Sequence, residues 1–419
     1  MDRLVIHGGR RLEGTVAVSG AKNAALPQLA AALLSGERLT LANLPRVADV
    51  ETMLRCIEAY GIAVVERGQK HVVLDAANAR NSEAGYDTVR RMRATFLVLG
   101  PLVARFGRAR VSLPGGCAIG ARPVDLHLRA LTTLGATVAV EGGYIVAEAP
   151  SGLHGARIVL GTPSVGATET ALMAATLAKG ETEIFNAARE PEVQDLAECL
   201  IARGATIEGA GTHRILVQGG TSWRAARHNI VPDRVEAGTY AIAAAMTGGH
   251  LELTGARLEH LAVVGQVLEA VGVRIWPTDQ GLMVARDGAL RAADITTEPY
   301  PGFPTDLQAQ FMALASMADG ASMIRETVFE NRFMHVPELM RLGANITLQG
   351  TSALVRGGAR LAGAPVMATD LRASVCLVIA GLAAEGETVV NRVYHLDRGY
   401  EELDRKLIRC GADIRRESD

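Results

Sequence analysis

Six times along the chain a helix-like run closes on a glycine and passes at once into a short β-like run. The segments are Ala59-Tyr60-Gly61-Ile62-Ala63-Val64, Leu134-Gly135-Ala136-Thr137-Val138, Arg203-Gly204-Ala205-Thr206-Ile207, Val271-Gly272-Val273-Arg274-Ile275, Leu342-Gly343-Ala344-Asn345-Ile346 and Cys410-Gly411-Ala412-Asp413-Ile414. Successive glycines lie 74, 69, 68, 71 and 68 residues apart, so six near-equal periods account for all 419 residues. A fixed period restricts the fold more than any local motif, because each copy must adopt the same supersecondary arrangement. A second series, Gly36, Gly107, Gly180, Gly249, Gly320 and Gly386, follows Ala/Leu-rich helical runs and precedes strands. Glycine just past a helix end is the expected left-handed cap. Each repeat therefore reads strand, helix, glycine, strand, loop, helix, glycine, strand and strand. Three repeats make about 200 residues, the size of one domain. The expectation is an α/β protein of two pseudo-symmetric domains, each with three repeats and mixed sheets covered by helices.

Composition removes several function classes. Apolar residues make up 48 % and charged residues 21 %, as in a soluble globular protein. A net charge of −2 supplies no basic field for nucleic acid, and 4 % aromatics supply no stacking platform for bases. The five cysteines (Cys56, Cys117, Cys199, Cys376 and Cys410) are odd in number, scattered and free of C-x-x-C pairs, which fits a reducing cytoplasm. The ten histidines show no metal-ligand spacing, so neither metal nor cofactor is expected. No basic-then-apolar leader opens the chain, and the longest apolar run, Val375 to Ala384, is too short for a bilayer. A cytoplasmic protein with small-molecule partners, without nucleic acid or membrane, is the expectation.

The repeat also locates candidate chemistry. Fourteen residues before each glycine of the second series stand Lys22, Arg93, Gly166, Val235, Asp306 and Arg372. Four of these six are charged and lie near the start of an otherwise apolar helix. Helix N-termini offer unpaired N–H groups and a potential that favours anions. Asp306 and Asp370 read equally well as simple helix caps. Lys22 and Arg372 do not, since a cation opposes the dipole there, and a bound anion explains them better. Three loops before second helices carry arginine, as Arg122, Arg332 and Arg398. Guanidinium forks match carboxylate and phosphate oxygens. Singly each arginine could be a surface ion pair; together they suggest a small ligand with several anionic groups.

Cys117 lies in the glycine-rich stretch Leu113-Pro114-Gly115-Gly116-Cys117-Ala118-Ile119-Gly120-Ala121-Arg122-Pro123. Arg122 and Arg129 would favour its thiolate. A small apolar residue in a tight turn is the alternative. From second-series glycine to first-series glycine the repeats measure 25, 28, 24, 23, 23 and 25 residues, and the longest holds Cys117. The cysteine loop is thus an elongated version of a connection that is tighter elsewhere, and reads as a reactive lid.

Several segments together resemble the enolpyruvyl transferase family: Ser19-Gly20-Ala21-Lys22-Asn23-Ala24-Ala25, the cysteine loop through Asp125, Phe303-Pro304-Thr305-Asp306-Leu307-Gln308-Ala309-Gln310-Phe311, Glu330-Asn331-Arg332-Phe333-Met334-His335 and Ala368-Thr369-Asp370-Leu371-Arg372-Ala373-Ser374. The resemblance runs end to end, Asp397-Arg398-Gly399-Tyr400 included. The cysteine loop and Phe-Pro-Thr-Asp are its specific parts. The resemblance implies a two-domain inside-out α/β barrel with the active site in the interdomain cleft. Residues 22–230 would form the domain with the Cys117 lid, and residues 1–21 plus 231–419 the other.

The implied reaction moves the enolpyruvyl group of phosphoenolpyruvate to the 3′-hydroxyl of UDP-N-acetylglucosamine, with release of phosphate, as the first committed step of peptidoglycan precursor synthesis. Addition followed by elimination needs an acid, a base and a cationic cradle, without metal or cofactor. By the resemblance Asp306 would be the base for the sugar hydroxyl. Cys117 would act as acid at C3 or assist product release, and Asp370 is a second acid–base candidate. Lys22, Arg122 and Arg398 would hold the phosphate, Arg332 and Arg372 the carboxylate, with Asn23 beside them. Asn23, Arg93, Arg122, Pro123, Val124, Asp125, Leu126, Thr162, Pro163, Ser164, Val165, Gly166, Asp306 and Val328 would contact the nucleotide sugar. Transfer to another acceptor (shikimate 3-phosphate or a nucleotide), a non-catalytic sugar-nucleotide binding protein and a repeat scaffold for protein partners stay open.

Overall fold

The computed structural model describes residues 2–80, 92–113 and 124–418. The chain is mixed α/β, and its described residues form two compact units, one of those between Gly20 and Val231 and one of those up to Ser19 with those from Pro232 onward. The first holds helices α1 (Lys22–Ala31), α2 (Ala48–Ala59), α3 (Leu99–Phe106), α4 (Asp125–Thr133), α5 (Val165–Ala175) and α6 (Pro191–Ala202). The second holds α7 (Arg234–Thr247), α8 (Ala262–Ala270), α9 (Gln308–Met317), α10 (Val336–Arg341), α11 (Val375–Ala383) and α12 (Leu403–Arg409).

The even-numbered helices end as the first glycine series requires. Gly61, Gly135, Gly204, Gly272, Gly343 and Gly411 all have φ between 85° and 113°. In each case the next residue donates its N–H to the carbonyl five positions back, as in Val273 to Leu268 at 2.9 Å and Ala205 to Leu200 at 3.0 Å. This is the Schellman closure, which satisfies carbonyls left over at a helix end. The second glycine series is less uniform than the sequence suggests. Only Gly107 is itself a left-handed helix cap, on α3. Gly180, Gly320 and Gly386 are left-handed but lie beyond the helix end, in the turn before the strand. Helix α7 is capped by Gly248, not Gly249. At Gly249 a Cβ would lie 2.1 Å from the Leu12 carbonyl oxygen, so close backbone approach demands the glycine there.

The two helices of a repeat differ in character. Along α2, Val50, Met53, Leu54, Cys56 and Ile57 are buried while Arg55 and Glu58 are exposed, the pattern of a helix covering one face. Helices α1, α5, α7, α9 and α11 have no such stripe. In α11 every residue from Val375 to Leu382 is buried, and in α7 every residue from Val235 to Met246. Helices apolar all round belong in a core. In the second unit α7, α9 and α11 pack on one another; in the first α5 packs on α3, and the 3-10 turn Arg93–Val98 packs on α1.

Five sheets share one plan. In one, Glu181–Phe185 pairs parallel with Arg157–Val159 and antiparallel with Arg214–Gln218, which pairs with Thr206–Glu208. Three sheets recruit a sequence-distant strand: Ala226–Asn229 joins Leu39–Ala42, Glu13–Ala17 joins His250–Thr254, and Arg3–His7 lies between Glu387–Asn391 and Asp413–Glu417. The sixth sheet has three strands among the described residues, Arg108–Ser112, Tyr144–Glu148 and Thr137–Glu141. Among the described residues no helix is long and apolar enough to cross a membrane, and no group of three or more His, Cys, Asp or Glu could hold a metal ion.

Candidate active site

In the second unit the turns entering α9 and α11 bring charged side chains together. Thr305-Asp306-Leu307 is a 3-10 turn ahead of α9, and the N-cap position of α9 is Leu307, which makes no side-chain cap. Asp306 therefore does not cap its helix, contrary to the simpler sequence reading. Its Oδ1 lies 2.5 Å from Arg332 Nη2, and its Oδ2 lies 4.0 Å from Arg372 Nε. The other Arg332 arm, Nη1, donates to Thr305 Oγ1 at 2.9 Å. Arg372 Nη2 donates to Asp233 Oδ2 at 2.9 Å and Nη1 to the Gly399 carbonyl at 3.0 Å. The Arg372 guanidinium also lies 5.1 Å from the centre of the Tyr400 ring. The Arg332 and Arg372 side chains are 4 % and 3 % exposed, that of Asp306 22 %. The carboxylate is thus the accessible edge of a cluster whose cations lie beneath it.

Burial alone would pull both guanidiniums down. For Arg372 the Asp233, Tyr400 and Asp306 charges outweigh it; for Arg332 the Asp306 and Asp370 charges do. Both therefore stand above the ordinary arginine value and are fixed cations. Asp233 is also buried, yet Arg372 and two backbone N–H groups hold its carboxyl below the usual range. Burial, with Arg332 adding, drives His335 down to about 3, so it is neutral at physiological pH. Tyr400 is pushed up to about 12 by burial, against the pull of Arg372.

Arg372 and Lys22, read from the sequence as marks of a bound anion, each also meet an internal carboxylate. The counter-charge of Arg372 is the internal carboxylate of Asp233. Lys22, the first residue of α1, places Nζ 3.2 Å from Asp49 Oδ2, with both side chains buried. Asp370 does not cap α11, whose N-cap position is Ser374; its Oδ1 accepts from the N–H groups of Arg372 at 2.7 Å and Ala373 at 2.6 Å and closes the turn that leads into the helix. Arg398 ends the 3-10 turn Val393–Arg398 and is half-buried. Val328 is half-buried, and its N–H donates to Glu326 Oε1 at 2.8 Å.

The remaining candidates belong to the first unit. Asn23 follows Lys22 at the start of α1 and is partly exposed. Arg93 opens the 3-10 turn that leads into α3. Ser164 caps α5, its Oγ accepting from Ala167 N at 3.4 Å. Thr162 and Pro163 are exposed just before it, while Val165 and Gly166 are half-buried in the first turn. A Cβ on Gly166 would lie 2.9 Å from His127 Cε1, so glycine lets α4 approach here. His127 Nδ1 in turn lies 2.9 Å from Thr170 Oγ1. Helix α4, which begins at Asp125, thereby packs on α5. Cys117, Arg122 and Pro123 lie outside the described residues. The other four cysteines are poor nucleophiles. Burial pushes Cys56 and Cys199 up to about 12, Cys376 well above the ordinary thiol value and Cys410 upward.

The family model described as EPSP synthase (3-phosphoshikimate 1-carboxyvinyltransferase) matches residues 6–407. The chain belongs to this family of enolpyruvyl transferases. It is 72 % identical over 416 residues to UDP-N-acetylglucosamine 1-carboxyvinyltransferase 2 of Mesorhizobium japonicum, covering 99 % of each chain. It is 59 % identical to UDP-N-acetylglucosamine 1-carboxyvinyltransferase of Rhodospirillum centenum, again over 99 % of each. Among solved structures it is similar to the enolpyruvyl transferase NikO from Streptomyces tendae, with a TM-score of 0.90 and 28 % identity, covering 100 % of this chain and 99 % of that one.

For this enolpyruvyl transferase, sequence reasoning missed the carboxylates that hold the cations: Asp49 on Lys22, Asp233 on Arg372, and Glu326 behind Thr305 and Arg332. One signal was available. Asp233 stands two residues before Val235, at the repeat level that also carries Asp306 and Arg372, but an Asp there reads as a helix cap. It is one, since Oδ1 accepts from Val235 N and Glu236 N, and its second oxygen holds the arginine.

Proposed function

We propose that the chain transfers the enolpyruvyl group of phosphoenolpyruvate to the 3′-hydroxyl of UDP-N-acetylglucosamine and releases phosphate. The observation that carries this reading is end-to-end identity of 56–72 % with relatives bearing that enzyme's name. Its place would be the first committed step of peptidoglycan precursor synthesis, in the cytoplasm. The accompanying fold reading is an inside-out α/β barrel in each of two domains, residues 22–230 and residues 1–21 with 231–419.

The chemistry assigns a task to each candidate. Asp306 takes the proton of the 3′-hydroxyl, and the resulting alkoxide bonds to C2 of phosphoenolpyruvate. C3 gains a proton from the acid, which is Cys117 or Asp370. The tetrahedral phospho-ketal then loses a proton from C3 and expels phosphate from C2, restoring the double bond as an enol ether. Lys22, Arg122 and Arg398 take the phosphate charge, and Arg332 and Arg372 the carboxylate, with Asn23 beside them. Buried cations suit this task, because fixed charges act most strongly where water is excluded. Asn23, Arg93, Arg122, Pro123, Val124, Asp125, Leu126, Thr162, Pro163, Ser164, Val165, Gly166, Asp306 and Val328 hold the nucleotide sugar.

The test is phosphate release from phosphoenolpyruvate. Release that requires UDP-N-acetylglucosamine supports the reading. Release driven only by shikimate 3-phosphate, or none with either acceptor, refutes it.

A further inference from the structure

Beside Asp306 and Arg332 lies a buried carboxylate without an assigned task. Glu326 follows the strand Ala321–Arg325 and is 1 % exposed. Its Oε1 accepts from Thr297 Oγ1 at 2.8 Å, Val328 N at 2.8 Å and Phe329 N at 3.0 Å. Its Oε2 accepts from Thr305 Oγ1 at 2.8 Å. An ionised carboxylate only accepts, so the single Thr305 hydroxyl proton is committed to Glu326. The Thr305 oxygen is then an acceptor toward Arg332, whose Nη1 lies 2.9 Å away. The second arm of Arg332, Nη2, is thereby aimed at Asp306 Oδ1, 2.5 Å away. Every link has one polarity: Thr305 donates to Glu326, and Arg332 donates both to Thr305 and to Asp306.

We propose that Glu326 is a positioning residue for the transfer reaction, fixing Asp306 and Arg332 through Thr305 and fixing the Val328–Phe329 turn directly. The proposal rests on the functional reading above. Four donors on one carboxylate offset the cost of burying it, and a fully satisfied buried network has a single arrangement. Glu326 occupies both arms of that network at once. One oxygen orients the residues assigned to the reacting centre, and the other holds the backbone at Val328, assigned to the nucleotide sugar. Without the carboxylate, the Thr305 hydroxyl is free to turn its proton elsewhere. Arg332 is then free to place both arms on Asp306, which moves the base away from the sugar hydroxyl.

The two arms separate experimentally. Thr305→Val cuts only the link between Glu326 and Arg332. Glu326→Gln offers one acceptor oxygen for four donors, so it disturbs both arms. In the phosphate-release assay, Thr305→Val is expected to lower kcat by about 10- to 100-fold, the scale of a small misplacement of reacting groups, with KM for UDP-N-acetylglucosamine near that of the wild type. Glu326→Gln is expected to lower kcat comparably and also to raise that KM. The double variant should lose no more kcat than the worse single variant, because both changes cut one path. Losses that multiply, or unchanged kcat in all three with only a lower Tm, overturn the proposal. If Glu326→Gln does not fold, Thr305→Val alone carries the kcat arm. A wild-type enzyme that releases no phosphate with UDP-N-acetylglucosamine overturns the functional reading and this proposal together. A wild type that turns over alongside equally active variants overturns this proposal alone.

Discussion

Replacing Asp233 with Asn isolates what the buried pair with Arg372 contributes. The side chains are 5 % and 3 % exposed, and Asp233 Oδ2 lies 2.9 Å from Arg372 Nη2. Asparagine keeps an oxygen for the N–H groups of Val235 and Glu236, so the cap of α7 survives. Its amide N–H₂ then faces the guanidinium, donor against donor. Arg372 is left with the Gly399 carbonyl, the Tyr400 ring face and Asp306 at 4.0 Å. Breaking a buried pair from one side costs about 3–5 kcal/mol, because the remaining charge stays buried. Those three residual contacts favour the lower end, about 3 kcal/mol. Asp233→Ala should cost about 1 kcal/mol more, since the cap is lost as well. Adding Arg372→Met to Asp233→Asn removes the stranded cation and should restore at least half of the lost stability. Turnover should stay at background, because Arg372 is assigned to the phosphoenolpyruvate carboxylate. Urea unfolding at pH 7 gives the stabilities, and phosphate release gives the turnover. Asp233→Asn unfolding within about 0.5 kcal/mol of wild type, the scale of an ordinary surface change, would refute the reasoning. So would recovered turnover in the double variant.

Three further outcomes follow from the same site. Asp306→Ala should reduce kcat by about 10²- to 10⁴-fold, the usual contribution of a general base, while UDP-N-acetylglucosamine affinity measured by calorimetry stays within about tenfold; near-normal turnover sinks the base assignment. His335 stays neutral down to about pH 3 in the folded chain but protonates near 6.5 once unfolded, so its contribution is full above 6.5 and is lost as pH falls toward 3. Between pH 7 and pH 4.5 the wild type should therefore lose about 2–3 kcal/mol more than His335→Leu in urea unfolding, and equal losses would contradict this. Cys117→Ser should abolish alkylation by an epoxide of the fosfomycin type, and mass spectrometry that finds the adduct on another cysteine would refute the assignment.

Much of the scaffold is written in the sequence because it is periodic. Gly61, Gly135, Gly204, Gly272, Gly343 and Gly411 recur under one physical demand, a left-handed residue after a helix, and all six take that conformation. The second series mixes demands, and so its reading was only partly right. Gly107 caps a helix, whereas Gly249 is required by the nearby Leu12 carbonyl, a partner more than two hundred residues away in sequence. The charged positions near helix starts were legible for the same reason. Their partners were not, because Asp49, Asp233 and Glu326 meet Lys22, Arg372 and Thr305 only through tertiary packing. The internal carboxylates beside Lys22 and Arg372 cannot be read from spacing.

The most direct measurement is the identity of the product. The protein should be incubated with phosphoenolpyruvate and equimolar UDP-N-acetylglucosamine and shikimate 3-phosphate, and the mixture resolved by mass spectrometry alongside a phosphate count. The account requires enolpyruvyl-UDP-N-acetylglucosamine as the product, with one phosphate released per molecule formed. Enolpyruvyl transfer to shikimate 3-phosphate instead, or phosphate release without any enol ether, would contradict it.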